Sequence, residues 1–372
     1  MGTVQRFEDF FKESSVFIRR NLVLVGERKN IERKKELWKG IELTEIQEKQ
    51  IQDFYIENYG KKIQTKWHRL YQSYMGVFHY DYFPEYLFSS QLEPLTNPYR
   101  EAELLEDKNL LPVFFGRLGG VNIPHTYLSC IKGVFRDSDN RIVSLTSAID
   151  ILKHVDTFVI KKTVHTSSGR DIKIVRVGEE SSIDKVEDNN IELILEAFGD
   201  NFVVQELIRP CDALQNLYPF AINTFRVITY IIDDDIHVCP IALRMGRGKA
   251  DRDNIHYGGI VIGVNEDGSL KKTAFSEYGE RFDAHPDTNS VFEKYKIPGA
   301  GNELRETAKR LHSQIPYLGI LSWDLTIDQD GMITLVEMNG SGQSTWFCQM
   351  VNGEPLFGGD TGRMLNKIRK CK

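Results

Sequence analysis

The sequence predicts an α+β fold behind a helical front. Three observations carry that prediction. Of the 29 glycines, five fall in the first 95 residues, which separates a region of helical spacing from a turn-rich remainder. From about residue 112, short β-branched runs and turn signals mix with occasional helices, without the regular βαβ rhythm of a doubly wound sheet. The 372 residues are 41% hydrophobic and 27% charged, enough for two or three packed units and too apolar for a disordered chain.

The front is helical by its punctuation. Thr44 and Gln47 form a capping box, Ile46, Ile51, Phe54 and Tyr55 follow at helical spacing, and Gly60 closes the helix. An aromatic run from Trp67 to Phe88 follows. From Tyr71 onward it lacks the interleaved basic residues of a base-stacking surface, so packing is the expectation. The stretch Leu95 to Pro98 ends this region, and Arg100 to Leu111 reads as a helix. Strands are expected at Thr157 to Ile160, Ile172 to Val177, Phe202 to Leu207, Thr224 to Ile232, Ile236 to Leu243, Gly259 to Val264, Ile320 to Ile327 and Met332 to Met338. Leu145 to His154, Asn189 to Phe198 and Gly301 to Gln314 are expected to be helices.

Net charge is −6 and the acidic excess lies beyond residue 95, so no general field holds a nucleic acid and any bound phosphate must be gripped locally. The cysteines (Cys130, Cys211, Cys239, Cys348, Cys371) are odd in number and never form a CxxC pair, against a disulfide framework or thiolate zinc site. No window approaches the roughly 18 uncharged apolar residues of a spanning helix, and Met1 to Ser15 carries charges where a signal peptide has its apolar core. The expectation is a cytoplasmic protein with no integral membrane segment.

Leu321 to Asn339 holds two β-branched runs around the turn signal Asp328 to Gly331 and predicts a hairpin. With Ile327 facing Met332 across the turn, Asp324 faces Leu335, and alternation puts Leu335, Glu337 and Asn339 on the face of Asp324. Two carboxylates and an amide carbonyl on one face need a cation to offset their repulsion. Such oxygen ligands suit Mg²⁺ or Mn²⁺, with water and substrate phosphates in the remaining positions. Asp328, Asp330, Gly331, Ile333 and Glu337 also fall at calcium-loop spacing, but Thr326 stands where that loop has its first carboxylate and the flanks are strand-like where helices are required. A solvent-facing hairpin with scattered acids would leave Glu337, between Val336 and Met338, without evident purpose.

Asp324, Glu337 thirteen residues on, and Asn339 in a Glu-x-Asn pair resemble the metal-binding signature of the ATP-grasp superfamily. Asn223 to Thr229, Leu243 to Gly246, Asp253-Asn254, Gly258-Gly259, His285-Pro286 and Trp323-Asp324 are similar to the sugar-transfer-associated ATP-grasp proteins, as are Trp67-His68, Tyr82 to Glu85 and Asp107 to Asn109 at the front. The resemblance implies ATP held between two α+β subdomains. It divides the chain into a helical region (1–98), a linker with the small subdomain (99–210) and a C-terminal subdomain with the metal site (211–372).

Lys108 and Lys161 resemble the two phosphate-binding lysines of that superfamily, although Lys162 stands where it prefers Pro. Thr166 to Arg170 falls at the distance of its phosphate-covering loop, which gives Ser167, Ser168 and Gly169 as backbone donors to phosphate. Neither GxGxxG nor GxxxxGK[ST] occurs. Phe202 to Ile208, an apolar run interrupted by Gln205 and Glu206, resembles the hinge strand that binds the adenine, with the backbone of Glu206, Leu207 and Ile208 at the adenine edge and Asp212 at the ribose. Arg226 interrupts a strand apolar on both faces, so its guanidinium points into a site or an ion pair. Arg226, Arg244 and Asn254 match positions that hold the triphosphate and intermediate in peptide-ligating relatives. His256 and His285 titrate in the range of acid–base catalysts, but the superfamily uses no obligatory histidine base, so substrate contact or structure is expected of them. Ser341, in the turn after Asn339, is a further contact for phosphate or acceptor.

The function implied is an ATP- and Mg²⁺-dependent carboxylate-amine ligase that works through an acyl phosphate and releases ADP and phosphate. Its partners would be a small-molecule or sugar-linked carboxylate and an amine, in bacterial surface-polysaccharide synthesis alongside polysaccharide-assembly enzymes. A kinase that stops after phosphoryl transfer and a non-catalytic nucleotide-binding scaffold are the alternatives.

Overall fold

The computed structural model describes residues 3–163, 172–177, 185–186 and 188–371. Two sheets dominate them. The first contains β1 (Thr126–Ile131), β2 (Val134–Asp137), β3 (Thr157–Lys162), β4 (Ile172–Val177), β5 (Lys185–Val186) and β6 (Asn201–Glu206), in the order β2-β1-β6-β3-β4-β5. All its pairings are antiparallel except β4 with β5. Helix Leu145–Lys153 starts where the Ser144 hydroxyl accepts from Ser147 N. Ala148 and Leu152 of this helix pack with Leu128, Phe158 and Phe202 of the sheet.

The second sheet contains β7 (Phe225–Ile232), β8 (Asp235–Val238), β9 (Ile241–Met245), β10 (Ile260–Val264), β11 (Ala274–Ser276), β12 (Arg281–Phe282), β13 (Ile320–Ile327) and β14 (Ile333–Asn339). Its order is β12-β11-β10-β9-β7-β13-β14, with β8 on β7. Every residue of β13 is buried, because both faces are covered. Leu321, Trp323 and Leu325 pack with Leu304 and Leu311 of helix Asn302–His312. On the other face, Ile228, Tyr230 and Ile320 share a core with Tyr71, Tyr74, Phe83 and Phe88 from the front of the chain. The aromatic run therefore packs, as its lack of basic residues implied. Each such ring removed from water contributes about 1.5–3 kcal/mol.

At the front, helix Glu45–Tyr59 carries the predicted capping box and ends at Gly60 with φ +81°, where a side chain would be strained. Ile51, Tyr55 and Tyr59 form its buried stripe, while Ile46 is 72% exposed. Arg100 to Leu111 is not one helix. Tyr99–Leu105 stops, Asp107 turns to extended φ/ψ and accepts from Asn109 N, and a 3₁₀ turn Lys108–Leu110 leads into helix Leu111–Phe115. The expected strand Ile236 to Leu243 divides at Pro240, which has no N–H to give a ladder.

The predicted hairpin forms with a different register. Ile327 pairs with Ile333, and a bulge places Asp324 opposite Glu337 instead of Leu335. Val336 is the extra residue. It lets Leu335 stay with Leu325 in the core while Glu337 and Asn339 turn to the cleft. Asp328 shows the calcium-loop spacing to be turn chemistry, because its oxygens accept from Asp330 N, Met332 N, Thr334 Oγ1 and Asn122 Nδ2.

Candidate functional site

A cleft of about 870 Å³ lies between the two sheets, large enough for a nucleotide with a small acceptor. One wall is apolar, formed by Val159, Ile172 and Ile174 of β3 and β4 with Leu207 and Ile208 after β6. The opposite wall is charged. Arg226 on β7 and Asp324 on β13 are cross-strand partners, and the guanidinium donates from Nε to Asp324 Oδ1 at 2.7 Å. Arg244, on β9, reaches Asp324 Oδ2 at 3.0 Å. Thr224 Oγ1 accepts from Arg244 and donates to Asp253 Oδ2, so the loop that carries Asn254 is tied to the same cluster. Lys108 Nζ meets Glu337 Oε1 at 2.8 Å.

These pairs keep the charges in place. Burial works against the ionised form of Asp324, but the guanidiniums of Arg226 and Arg244 hold its carboxyl below the ordinary range. Burial also opposes the charge on Arg244, and Asp253 and Asp324 outweigh it and keep the group protonated. Lys161, 8% exposed at the end of β3, has no carboxylate at contact distance among the described residues. Burial first and the charge of Lys108 second pull its ammonium down to about 8.

Asn339 lies two residues beyond Glu337 on the cleft side, and its Nδ2 is buried with no hydrogen-bond partner among the described residues. Amide N and O are interchangeable by a flip, so this is a side chain free to turn its oxygen toward a ligand. With Asp324 and Glu337 directly opposite each other, the donor set fits a hard cation that fills its remaining positions with phosphate and water. Among the described residues no group of three or more His, Cys, Asp or Glu side chains could hold a metal by itself.

Not every expected residue reaches the cleft. Lys108, Leu207, Ile208, Arg226, Arg244, Asn254, His256, Asp324, Glu337, Asn339 and Ser341 line it. Gln205 is buried on its strand and donates to Thr126 Oγ1. Glu206 is bonded to the backbone of His125 through both its own N–H and its carboxylate. Its side chain faces a separate, smaller cavity beside Asp328 and Asp330. Asp212, the first residue of helix Asp212–Leu217, is exposed and outside the lining, whereas Gln215 one turn on belongs to it. His285 is fully buried. It stacks on Tyr218 at 5.0 Å, and its Nε2 and Nδ1 are engaged by Gly246 O and Asp287 N, which makes it a packing residue and corrects the substrate-contact expectation. Ser167, Ser168 and Gly169 lie outside the described residues.

Three glutamates that sequence reasoning passed over hold the loop after Asn339. Glu106 accepts from Gly340 N, Ser341 N and Ser341 Oγ. Glu93 accepts from Gly342 N and Gln343 N, and Glu85 from Thr345 N and Oγ1. Burial pushes Glu85 and Glu93 up to about 8. Glu85 closes the Tyr82-to-Glu85 segment quoted above, while Glu93 and Glu106 have no local signal.

The fold and this charged cleft define an ATP-grasp protein. The profile of the sugar-transfer-associated ATP-grasp family matches residues 87–367, and the chain belongs to that family. No curated protein matches it. Among solved structures it is similar to D-alanyl-alanine synthetase A from Vibrio cholerae (13% identity, 73% of this chain and 66% of that one, TM-score 0.42). It is also similar to a biotin carboxylase–β,γ-ATP complex from Campylobacter jejuni (14%, 74% and 48%, 0.43). A third is N5-carboxyaminoimidazole synthase from Aspergillus clavatus with ADP and its ribonucleotide (9%, 67% and 48%, 0.39). The chain spans about half to two thirds of the length of these proteins. Among the described residues no helix is long and apolar enough to cross a membrane.

Proposed function

We propose that the protein is an ATP- and Mg²⁺-dependent carboxylate-amine ligase. The observation that carries the reading is the row of paired charges in the cleft, Lys108 with Glu337 and Arg226 and Arg244 with Asp324. Cations of this kind take the triphosphate, and Asp324, Glu337 and Asn339 would hold Mg²⁺, which when bound offsets the charge on the β- and γ-phosphates. The apolar wall of Val159, Ile172, Ile174, Leu207 and Ile208 suits the adenine.

A substrate carboxylate oxygen attacks the γ-phosphorus, the bridging P–O bond breaks and ADP leaves. The amine then attacks the acyl carbon, the C–O bond to phosphate breaks, and phosphate leaves as the nitrogen loses a proton. Arg226, Arg244 and Lys161 stabilise the charge that accumulates on phosphorus. Asn254, whose Oδ1 accepts from His256 N, keeps its NH₂ for the acyl phosphate. The family's description associates it with sugar transfer; on that basis the carboxylate or acceptor is proposed to be linked to a sugar, with polysaccharide assembly as the proposed setting.

Incubation with ATP, Mg²⁺ and panels of uronic acids, amino acids and amino sugars tests the reading. ADP, free phosphate and an amide are expected in equal amounts; a stable phosphorylated product would identify a kinase, and nucleotide binding without turnover a scaffold.

A further inference from the structure

The amine must shed a proton to form the amide, and none of the groups assigned so far can take it. Arg226 and Arg244 are cations, Lys161 is kept protonated by the phosphate it takes, and Asp324 and Glu337 are committed to cations or metal. One imidazole in the cleft lining is different. His256 follows Asn254 in the 3₁₀ turn Ile255–Tyr257, and its Nδ1 stands 2.9 Å from Glu277 Oε2. Glu277 is buried after β11, and its other oxygen accepts from Lys34 Nζ at 2.8 Å. Lys34 is itself 4% exposed, with its ammonium 4.5 Å from the Trp346 ring.

This arrangement fixes the tautomer. Burial works against the charge on Glu277, but hydrogen bonds from His256 and Lys34 hold its carboxyl at about 2. An ionised carboxylate only accepts, so the neutral ring carries its proton on Nδ1 and leaves the Nε2 lone pair free. Nε2 has no hydrogen-bond partner among the described residues, and the side chain is 42% exposed, so a received proton can pass to water. Besides Glu277, the charged groups that face the ring among the described residues are Glu27, in helix Thr3–Arg33, and Lys34, in the turn after it; burial raises Glu27, and Asn30, Lys34 and His256 pull it down. The segment from Asp253 to His256 joins the ring to the phosphate cluster, since Asp253 holds Thr224, Thr224 accepts from Arg244, and Arg244 holds Asp324.

We propose that His256 Nε2 is the general base that takes a proton from the incoming ammonium and so frees the amine that attacks, with Glu277 and Lys34 as positioning residues. The inference rests on the ligase reading and adds a residue and a role to it. Nε2 first takes one proton from the ammonium and frees its lone pair; as the N–C bond then forms, the C–O bond to phosphate breaks with its electron pair on phosphate, and the leaving phosphate takes the second proton that nitrogen loses.

Two nucleophiles separate this role from a structural one. Hydroxylamine is largely unprotonated at neutral pH and needs no base to attack an acyl phosphate, whereas ammonia is largely protonated. With the acid that yields most hydroxamate, the ratio of ammonia-dependent to hydroxylamine-dependent ADP formation is expected to fall about 10²-fold in His256→Asn, the lower end of what a general base contributes. Hydroxylamine-dependent turnover counts the active molecules, so partial unfolding cancels in the ratio. Glu277→Gln removes the charge that stabilises imidazolium, so the acid limb of the ammonia rate is expected to move to lower pH. Equal ratios in wild type and His256→Asn, or an unmoved limb in Glu277→Gln, would overturn the assignment. Absence of hydroxamate from the wild-type protein with every acid would overturn the ligase reading itself, and the base with it.

Discussion

Lys108 Nζ stands 2.8 Å from Glu337 Oε1, a phosphate-binding candidate paired with a metal-binding one. The pattern repeats where Arg226 and Arg244 share Asp324. Each of these two carboxylates is matched by a cation, so neither stands uncompensated. On the proposed function these partners exchange when nucleotide enters, carboxylates to metal and cations to phosphate.

Glu337→Gln keeps volume and removes the charge that both partners need. Turnover is expected to fall by at least about 10²-fold, while the circular dichroism spectrum stays that of the wild type because Glu337 is nearly one third exposed and anchors no core. Phosphate release together with a melting curve checks both halves.

Lys161 sets a pH dependence. Its ammonium is pulled down to about 8 in the free protein, and phosphate favours the protonated form. Mg²⁺-ATP affinity is therefore expected to be level below pH 8 and to weaken by up to about tenfold per unit above it. Lys161→Arg, which stays protonated, should flatten that limb, and Lys161→Ala should weaken binding at every pH. Equilibrium titration between pH 6.5 and 9.5 measures it.

His285→Ala should damage stability rather than substrate use. It leaves a cavity beside Tyr218 and Phe292 and removes the partner of Gly246 O. A loss of about 2–4 kcal/mol is expected, with an unchanged KM, read by chemical denaturation and kinetics. The pH sign follows from burial, which lowers this imidazole below its ordinary value. The unfolded chain takes the proton first, so this contribution to stability is lost as pH falls below about 6.5.

Glu106 acts through the loop that follows Asn339. Glu106→Gln leaves one oxygen for the two backbone N–H groups that share Oε1, but it removes the charge that strengthens those bonds and puts an NH₂ where Oε2 accepts from the Ser341 hydroxyl. Groups that orient a metal ligand in this way are worth about 10–100-fold in activity or metal affinity. The expected result is that loss in Mg²⁺-dependent turnover with the nucleotide's own affinity less affected, separated by titration with and without Mg²⁺.

Local chemistry made much of the fold legible. The capping box at Thr44, the strand Ile172–Val177 and the strand Ile320–Ile327 each declare themselves within a few residues. Helix Trp346–Asn352 does not, because all seven of its residues are buried and no polar face marks a period. The hairpin was legible and its register was not, since the bulge at Val336 bears no glycine and is dictated by what packs under Leu335. In the site, Asp324, Glu337 and Asn339 could be read from alternation and charge. Gln205, Glu206 and Asp212 were placed by order along the chain, and the pairing of β6 with β1 sends the first two elsewhere. Lys34 with Glu277 joins the turn between the first two helices to the residue after β11, a contact that no local pattern encodes.

The central claim is that a carboxylate oxygen is phosphorylated in this cleft and leaves with the phosphate when an amine displaces it. Supplying the acid with its carboxylate labelled in heavy oxygen, with ATP, Mg²⁺ and amine, measures that directly by mass spectrometry of the released phosphate. One labelled oxygen per phosphate, matched by ADP and amide, is the result predicted; unlabelled phosphate, or label retained entirely in a stable phosphorylated product, would contradict it.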